Sequence, residues 1–228
     1  MRHIRFSLRS TLVAAFALIA IPAAHAQDNG GSGFDLALPK MMLDGLGVPA
    51  NQNNADDTVV GADPMVSAQA KMVFVEHVRA NKGDAVARSI DDWFTQNPVR
   101  TVFARVGEPY GLSPQSYPDV MAAWMVSMWL TANNAPQLPS QTQVDGVRRQ
   151  VRATIEQKGI TGTTSERQLQ AESMMYEVVS AIGARQEAEQ AGDRTALESL
   201  AASTQSNLQQ RGLNFQALAL GDSGLQPR

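Results

Sequence analysis

Residues 118–133 read PDVMAAWMVSMWLTAN, and this stretch decides the fold. Val120, Met121, Ala122, Ala123, Trp124, Met125, Val126, Met128, Trp129 and Leu130 cover the whole circumference of a 3.6-residue helix. A helix apolar on every side is enclosed either by protein or by lipid. At 1.5 Å per residue the run falls well short of a hydrocarbon core of about 30 Å. Enclosure by sibling helices is therefore the expectation. Ser116 is placed to cap the helix, Pro118 and Asp119 suit its first turn, and Asn133-Asn134 with Pro136 end it.

Outward from this segment the same periodicity recurs. Asp63-Pro64 is a helix start, followed by Val66, Ala70, Val73, Phe74 and Val78 at helical spacing. Asp84 to Gln96 gives a second helix with Ala85, Ile90, Trp93 and Phe94 inward. A short third runs through Val102, Phe103 and Val106 to Gly107. Beyond the central helix, Ser140-Gln141-Thr142-Gln143 is a capping-box pattern before the stripe Val144, Val147, Val151, Ile155. Thr163 to Glu166 repeats the box and heads a long helix carrying Leu169, Ala171, Met174, Met175, Val178 and Ile182. Asp193 caps the last one, with Leu197, Leu200, Ala201, Thr204 and Leu208 as its stripe. No stretch alternates convincingly as a strand, and the short links favour antiparallel neighbours. The expectation is a single all-α domain over residues 64–220: a multi-helix bundle of six or seven helices around residues 118–133, with 221–228 as a loose C-terminus.

Upstream, Arg2, His3, Arg5 and Arg9 precede the apolar run Thr11–Ile21, and Ala24-His25-Ala26 offers a cleavage site. This is the three-part layout of a secretory signal peptide over residues 1–26. Export to the periplasm or exterior of a Gram-negative bacterium is the expected location. Residues 27–63 form a Gly/Pro/Asn-rich arm that nevertheless holds Phe34, Leu36, Leu38, Met41, Met42, Leu43 and Leu46. These are too apolar for a fully solvated tail, so the arm either packs on the body or docks on something else.

Composition excludes several functions. The chain has no cysteine, which removes disulfides, thiol catalysis and lipid attachment through cysteine. Loss of the signal would leave His77 as the one histidine, so a multi-histidine metal site is excluded. The signal carries three of the 19 basic residues and none of the 22 acidic ones. The mature chain is therefore clearly acidic, which argues against nucleic acid or an anionic membrane as partner. Stable membrane insertion after cleavage is not expected, and no cofactor is implied.

Tyr110-Gly111-Leu112, the double-tryptophan segment Val120–Trp129, Asn133, Val147-Arg148-Arg149-Gln150-Val151-Arg152, Ala171-Glu172, Gly212-Leu213-Asn214 and Leu218-Ala219-Leu220 follow one another in that order. The succession, over about residues 64–225, resembles an uncharacterised family of exported bacterial proteins known only as a domain of unknown function. The tail Leu220-Gly221-Asp222-Ser223-Gly224-Leu225 departs from the Leu-Thr-x-x-Gly-Phe-like ending common in that family. The resemblance implies a helical exported domain and supplies no catalytic residues.

The remaining constellations read mainly as structure. Arg148, Arg152 and Glu156 are spaced i, i+4, i+8, so Glu156 can pair with Arg152 along the surface. A guanidinium of this set reaching Glu172 on a neighbouring helix would be a register-fixing ion pair. Trp124, Met125, Met128, Trp129, Met174 and Met175 are candidate central core, methionine being a common core filler. His77 lacks a positioned nucleophile and reads as a helix-surface residue. A non-enzymatic exported protein that binds another macromolecule, a protein or an envelope component, is the leading expectation, with the arm as contact. Two alternatives stand beside it. One is a hydrolase of cell-wall or envelope polymers using paired carboxylates, with Glu76, Glu108 and Glu172 foremost. The other is a carrier of small apolar ligands beside Trp124 and Trp129.

Overall fold

The computed structural model describes residues 58–160 and 162–228. The signal segment and arm residues Phe34, Leu36, Leu38, Met41, Met42 and Leu46 lie outside the described residues. Among the described residues seven α-helices follow in order: α1 (Pro64–Lys82), α2 (Asp84–Gln96), α3 (Val99–Gly107), α4 (Tyr117–Ala132), α5 (Gln141–Lys158), α6 (Thr164–Ala191) and α7 (Arg194–Gln210). Their starts are those the caps dictate. Asp63 accepts from Met65 N with Pro64 behind it, and Ser140 and Thr163 close complete capping boxes with Gln143 and Glu166. Each cap satisfies donors that the first helical turn cannot pair internally.

Helix α4 is the axis. Every residue from Tyr117 to Ala132 except Trp129 is buried, and Trp124, Met121, Met125, Val120 and Ala122 are completely so. Helices α5, α6 and α7 enclose it, while α1 and α3 lie against α6, with α2 beside α1. Helix α1 runs parallel to α6, because the linked pairs Asp63/Gln168 and Ser67/Glu172 advance together. At about 1.5–3 kcal/mol per large apolar side chain, this axis supplies a major share of the burial energy.

A buried helix must also satisfy the carbonyls at its end. Around the C-terminus of α4, Ala135 N and Arg185 Nη1 donate to Leu130 O at 3.0 Å each. Asn133 N and Nδ2 donate to Trp129 O, Asn134 N to Thr131 O, and Gln216 Nε2 to Ala132 O. The apolar segment thus ends without unpaired backbone, and residues from α6 and the C-terminal tail do much of that work.

Two expected boundaries are corrected. Residues 221–228 are not loose. Strands β1 (Leu218–Gly221) and β2 (Gly224–Pro227) form an antiparallel hairpin pairing Leu218 with Pro227 and Leu220 with Leu225, and Leu218, Gly224 and Leu225 are buried. The segment is too short to alternate visibly, and it is held by helices α4 and α5 rather than by strand propensity. The body also begins before residue 64: Val59 bridges Ser116, and Val60, 3% exposed, donates its N–H to Gln115 O at 2.9 Å.

Candidate functional site

Two carboxylates sink into the bundle and a third is half-buried, and each is met by an arginine. Asp119, at the first turn of α4 and 1% exposed, receives Arg148 in a fork: Nε to Oδ1 at 2.6 Å and Nη2 to Oδ2 at 2.5 Å. Ser113 N adds a bond to Oδ2 at 3.1 Å, and Arg152 lies 3.7 Å from Oδ1. The helix N-terminus contributes further positive potential. Glu172, also 1% exposed, gathers Arg100 Nη1 at 3.0 Å, Ser67 Oγ at 2.8 Å and Gln168 Nε2 at 3.0 Å on its Oε1. Glu177 accepts the indole N–H of Trp124 at 2.7 Å and Arg211 Nη1 at 3.0 Å.

The expected ion pair is therefore corrected in its partners. Arg148 and Arg152 on α5 turn to Asp119, not to Glu172, and Glu156 is exposed on the outer face of α5. Glu172 is indeed a buried, paired carboxylate, but its arginine is Arg100 from α3. Asp119 reads in the sequence as a helix-dipole residue, and nothing in its spacing to residue 148 marks the fork. Arg100, Gln168, Glu177 and Arg211 carry no motif at all. Only the packing of α3, α6 and α7 brings them into use.

Five of the six candidate core residues are buried. Trp124, Met125, Met174 and Met175 are buried to 2% exposure or less, and Met128 to 6%. Trp129 is half-buried, its indole N–H donating to Leu218 O at 2.9 Å. Trp124 packs edge-on against Phe215. Both indoles are thus fixed by hydrogen bonds to neighbouring elements. A second aromatic group joins α1, α2 and α6: Tyr176 stacks on Phe74 at 4.9 Å and meets Phe94 edge-on. Burial drives the Tyr176 hydroxyl far above the ordinary phenol range, with the charges of Glu172 and Asp91 adding to it.

The carboxylates of the hydrolase alternative sit in unlike settings. Glu76 is exposed on α1 and pairs with Arg79. Glu108 is exposed in the 3₁₀ turn Glu108–Tyr110. Glu172 is enclosed by Arg100, Ser67 and Gln168. His77 keeps an exposed edge, with Asn81 Nδ2 at 3.4 Å from Nε2. Partial burial, then the nearby Arg211 cation, lower its pKa below the ordinary imidazole value, and Glu177 opposes them. Among the described residues no group of three or more His, Cys, Asp or Glu is arranged to hold a metal ion. No described helix is long and apolar enough to cross a membrane. The exposed large apolar side chains among the described residues are Val59 at 59%, Met65 at 79%, Met72 at 58% and Leu138 at 76%. No protein-family model, curated protein or solved structure matches this chain.

Proposed function

We propose that the chain is exported through residues 1–26 and acts without catalysis, by binding another macromolecule of the cell envelope through the arm at residues 27–57. The observation that supports this reading is the state of the buried and half-buried carboxylates. Asp119, Glu172 and Glu177 are each closed by an arginine and further donors, as structural pairs are. Val59 and Met65, close in sequence to the arm, are exposed apolar side chains. The basic-apolar-small layout of residues 1–26 and the resemblance to exported helical proteins support the location.

The test compares the mature full chain with a variant carrying Leu36→Ser, Leu38→Ser, Met41→Ser and Met42→Ser. Crosslinking and pull-down from envelope extracts are read beside the thermal midpoint. The expected result is one partner captured by the parent and lost in the variant, at an unchanged midpoint. A midpoint lowered by many degrees would assign the arm to the core, and equal capture by both chains would remove the arm from the interface.

A further inference from the structure

We infer that residues 58–62 form a releasable root, a segment that leaves the bundle as a unit and pivots ahead of Asp63 while the helices stay folded. Val60 is the buried side chain of this segment, whereas Val59 and Ala62 are exposed. Its backbone is gripped by the Val59–Ser116 bridge, by Val60 N–H donating to Gln115 O at 2.9 Å, and by Arg100 Nη1 donating to Gly61 O at 2.5 Å. One buried valine and a few hydrogen bonds gain free energy of the same order as the entropy lost in ordering the segment. Val60 is the segment's one entry into the core shared by the helices, to which α2 and α4 each contribute several buried side chains.

Release also leaves no charge stranded. Arg100 keeps Glu172 at 3.0 Å and Pro114 O at 3.4 Å. Glu172 keeps Ser67 Oγ and Gln168 Nε2. The groups set free include Gly61 O, Val60 N–H, Gln115 O and those of the Val59–Ser116 bridge, all of them backbone groups. Asp63 stays behind because its carboxylate caps α1 through Met65 N at 2.8 Å, and Gln168 Oε1 accepts from Asp63 N at 2.9 Å. The root therefore comes away above a fixed pivot, extending the arm by about 17 Å at roughly 3.3–3.6 Å per residue. Its use as added reach toward a partner rests on the function proposed above; the release itself does not.

Native-state hydrogen exchange on the mature full chain tests this. The position-60 amide is expected to exchange at least about 100-fold faster than those of Met125 and Val126 in α4, through an opening insensitive to low denaturant. Val60→Ala is expected to speed exchange at position 60 about tenfold further and leave Met125 unchanged. Exchange at position 60 in step with Met125 at every denaturant concentration would overturn the inference, making the root part of the global unit. Failure to capture a partner, with fast exchange at position 60 retained, would sink the binding function alone.

Discussion

The side-chain amide of Gln150 closes on the backbone of Leu225 from both sides: Nε2 donates to Leu225 O and Oε1 accepts from Leu225 N, each at 2.9 Å. Helix α5 thereby offers the outer edge of β2 the pairing a third strand would give. In a hairpin with a two-residue loop, Leu220 and Leu225 face each other as a non-hydrogen-bonded pair, so their backbone groups point outward. Gln143 Nε2 takes Leu220 O, Trp129 takes Leu218 O and Arg149 takes Asp222 O. Gln168 grips Asp63 N and O in the same reciprocal manner. Gln150→Leu is expected to orphan both Leu225 groups at a cost of about 1–3 kcal/mol, measured by chemical denaturation. A loss below a few tenths of a kcal/mol would show water replacing the amide freely.

Gly146 reverses the ordinary helix rule. A Cβ there would lie 2.4 Å from Gly224 N and 2.6 Å from Asp222 O, both backbone atoms of the hairpin. Glycine to alanine inside a helix normally stabilises by about 0.5–1 kcal/mol. Here Gly146→Ala is expected to destabilise, by about 1–3 kcal/mol as overpacking does, and to shift the Trp129 indole resonance as Leu218 O moves. A stabilised Gly146→Ala protein would contradict this close approach.

The two arginines facing Asp119 are expected to differ sharply. Arg148 forms the fork and is 23% exposed, whereas Arg152 is 3.7 Å away and 52% exposed. Arg148→Met leaves a buried carboxylate without its main partner, a loss on the order of 3–5 kcal/mol. Arg152→Met is expected to cost under about 1 kcal/mol. Equal losses in equilibrium unfolding would mean that the two guanidinium groups share the carboxylate.

His77 gives a pH dependence of defined sign. Its folded value lies below the ordinary 6.5, through burial first and Arg211 second. The unfolded chain therefore binds the proton more readily, and stability rises with pH through this window. The contribution is present above 6.5 and is lost as pH falls through the lower folded value. His77→Gln is expected to flatten the pH profile there, and Arg211→Gln to raise the His77 titration midpoint seen by NMR. An unmoved midpoint in the Arg211 variant would remove that arginine as a cause.

Glu166 gives a dependence of the same sign at lower pH. The Thr163 N–H and then the Thr163 hydroxyl hold its carboxylate below the ordinary 4.5. The depressed value stabilises the fold above 4.5, and this contribution fades as pH falls through the folded value. Thr163→Ala is expected to move the Glu166 midpoint upward in a carboxyl titration. A midpoint that stays in place would assign the shift to the backbone bond alone.

The helical frame was legible because its causes are local. Asp63, Ser116, Ser140, Thr163 and Asp193 each stand where a helix begins, and each cap bond is present. The all-round apolar character of residues 120–130 is likewise a property of the segment, and it demanded enclosure. The hairpin was less legible. Gly221-Asp222-Ser223-Gly224 between Leu220 and Leu225 is a turn signal, yet four-residue strands carry too little alternation to declare themselves. The polar partners were invisible: Asp119 and Arg148 lie 29 residues apart and Arg100 and Glu172 lie 72 apart.

The sequence by itself determined an all-α bundle of six or seven helices, their caps and the burial of the segment around Trp124, since hydrogen bonding within a few residues and a 3.6-residue period are written in consecutive positions. Tertiary structure alone decided that Arg148 belongs to Asp119, that Arg100 belongs to Glu172, and that α5 receives the C-terminal strands. Those choices follow from which helix faces meet, and a charged side chain reveals its partner only once packing has taken away its water.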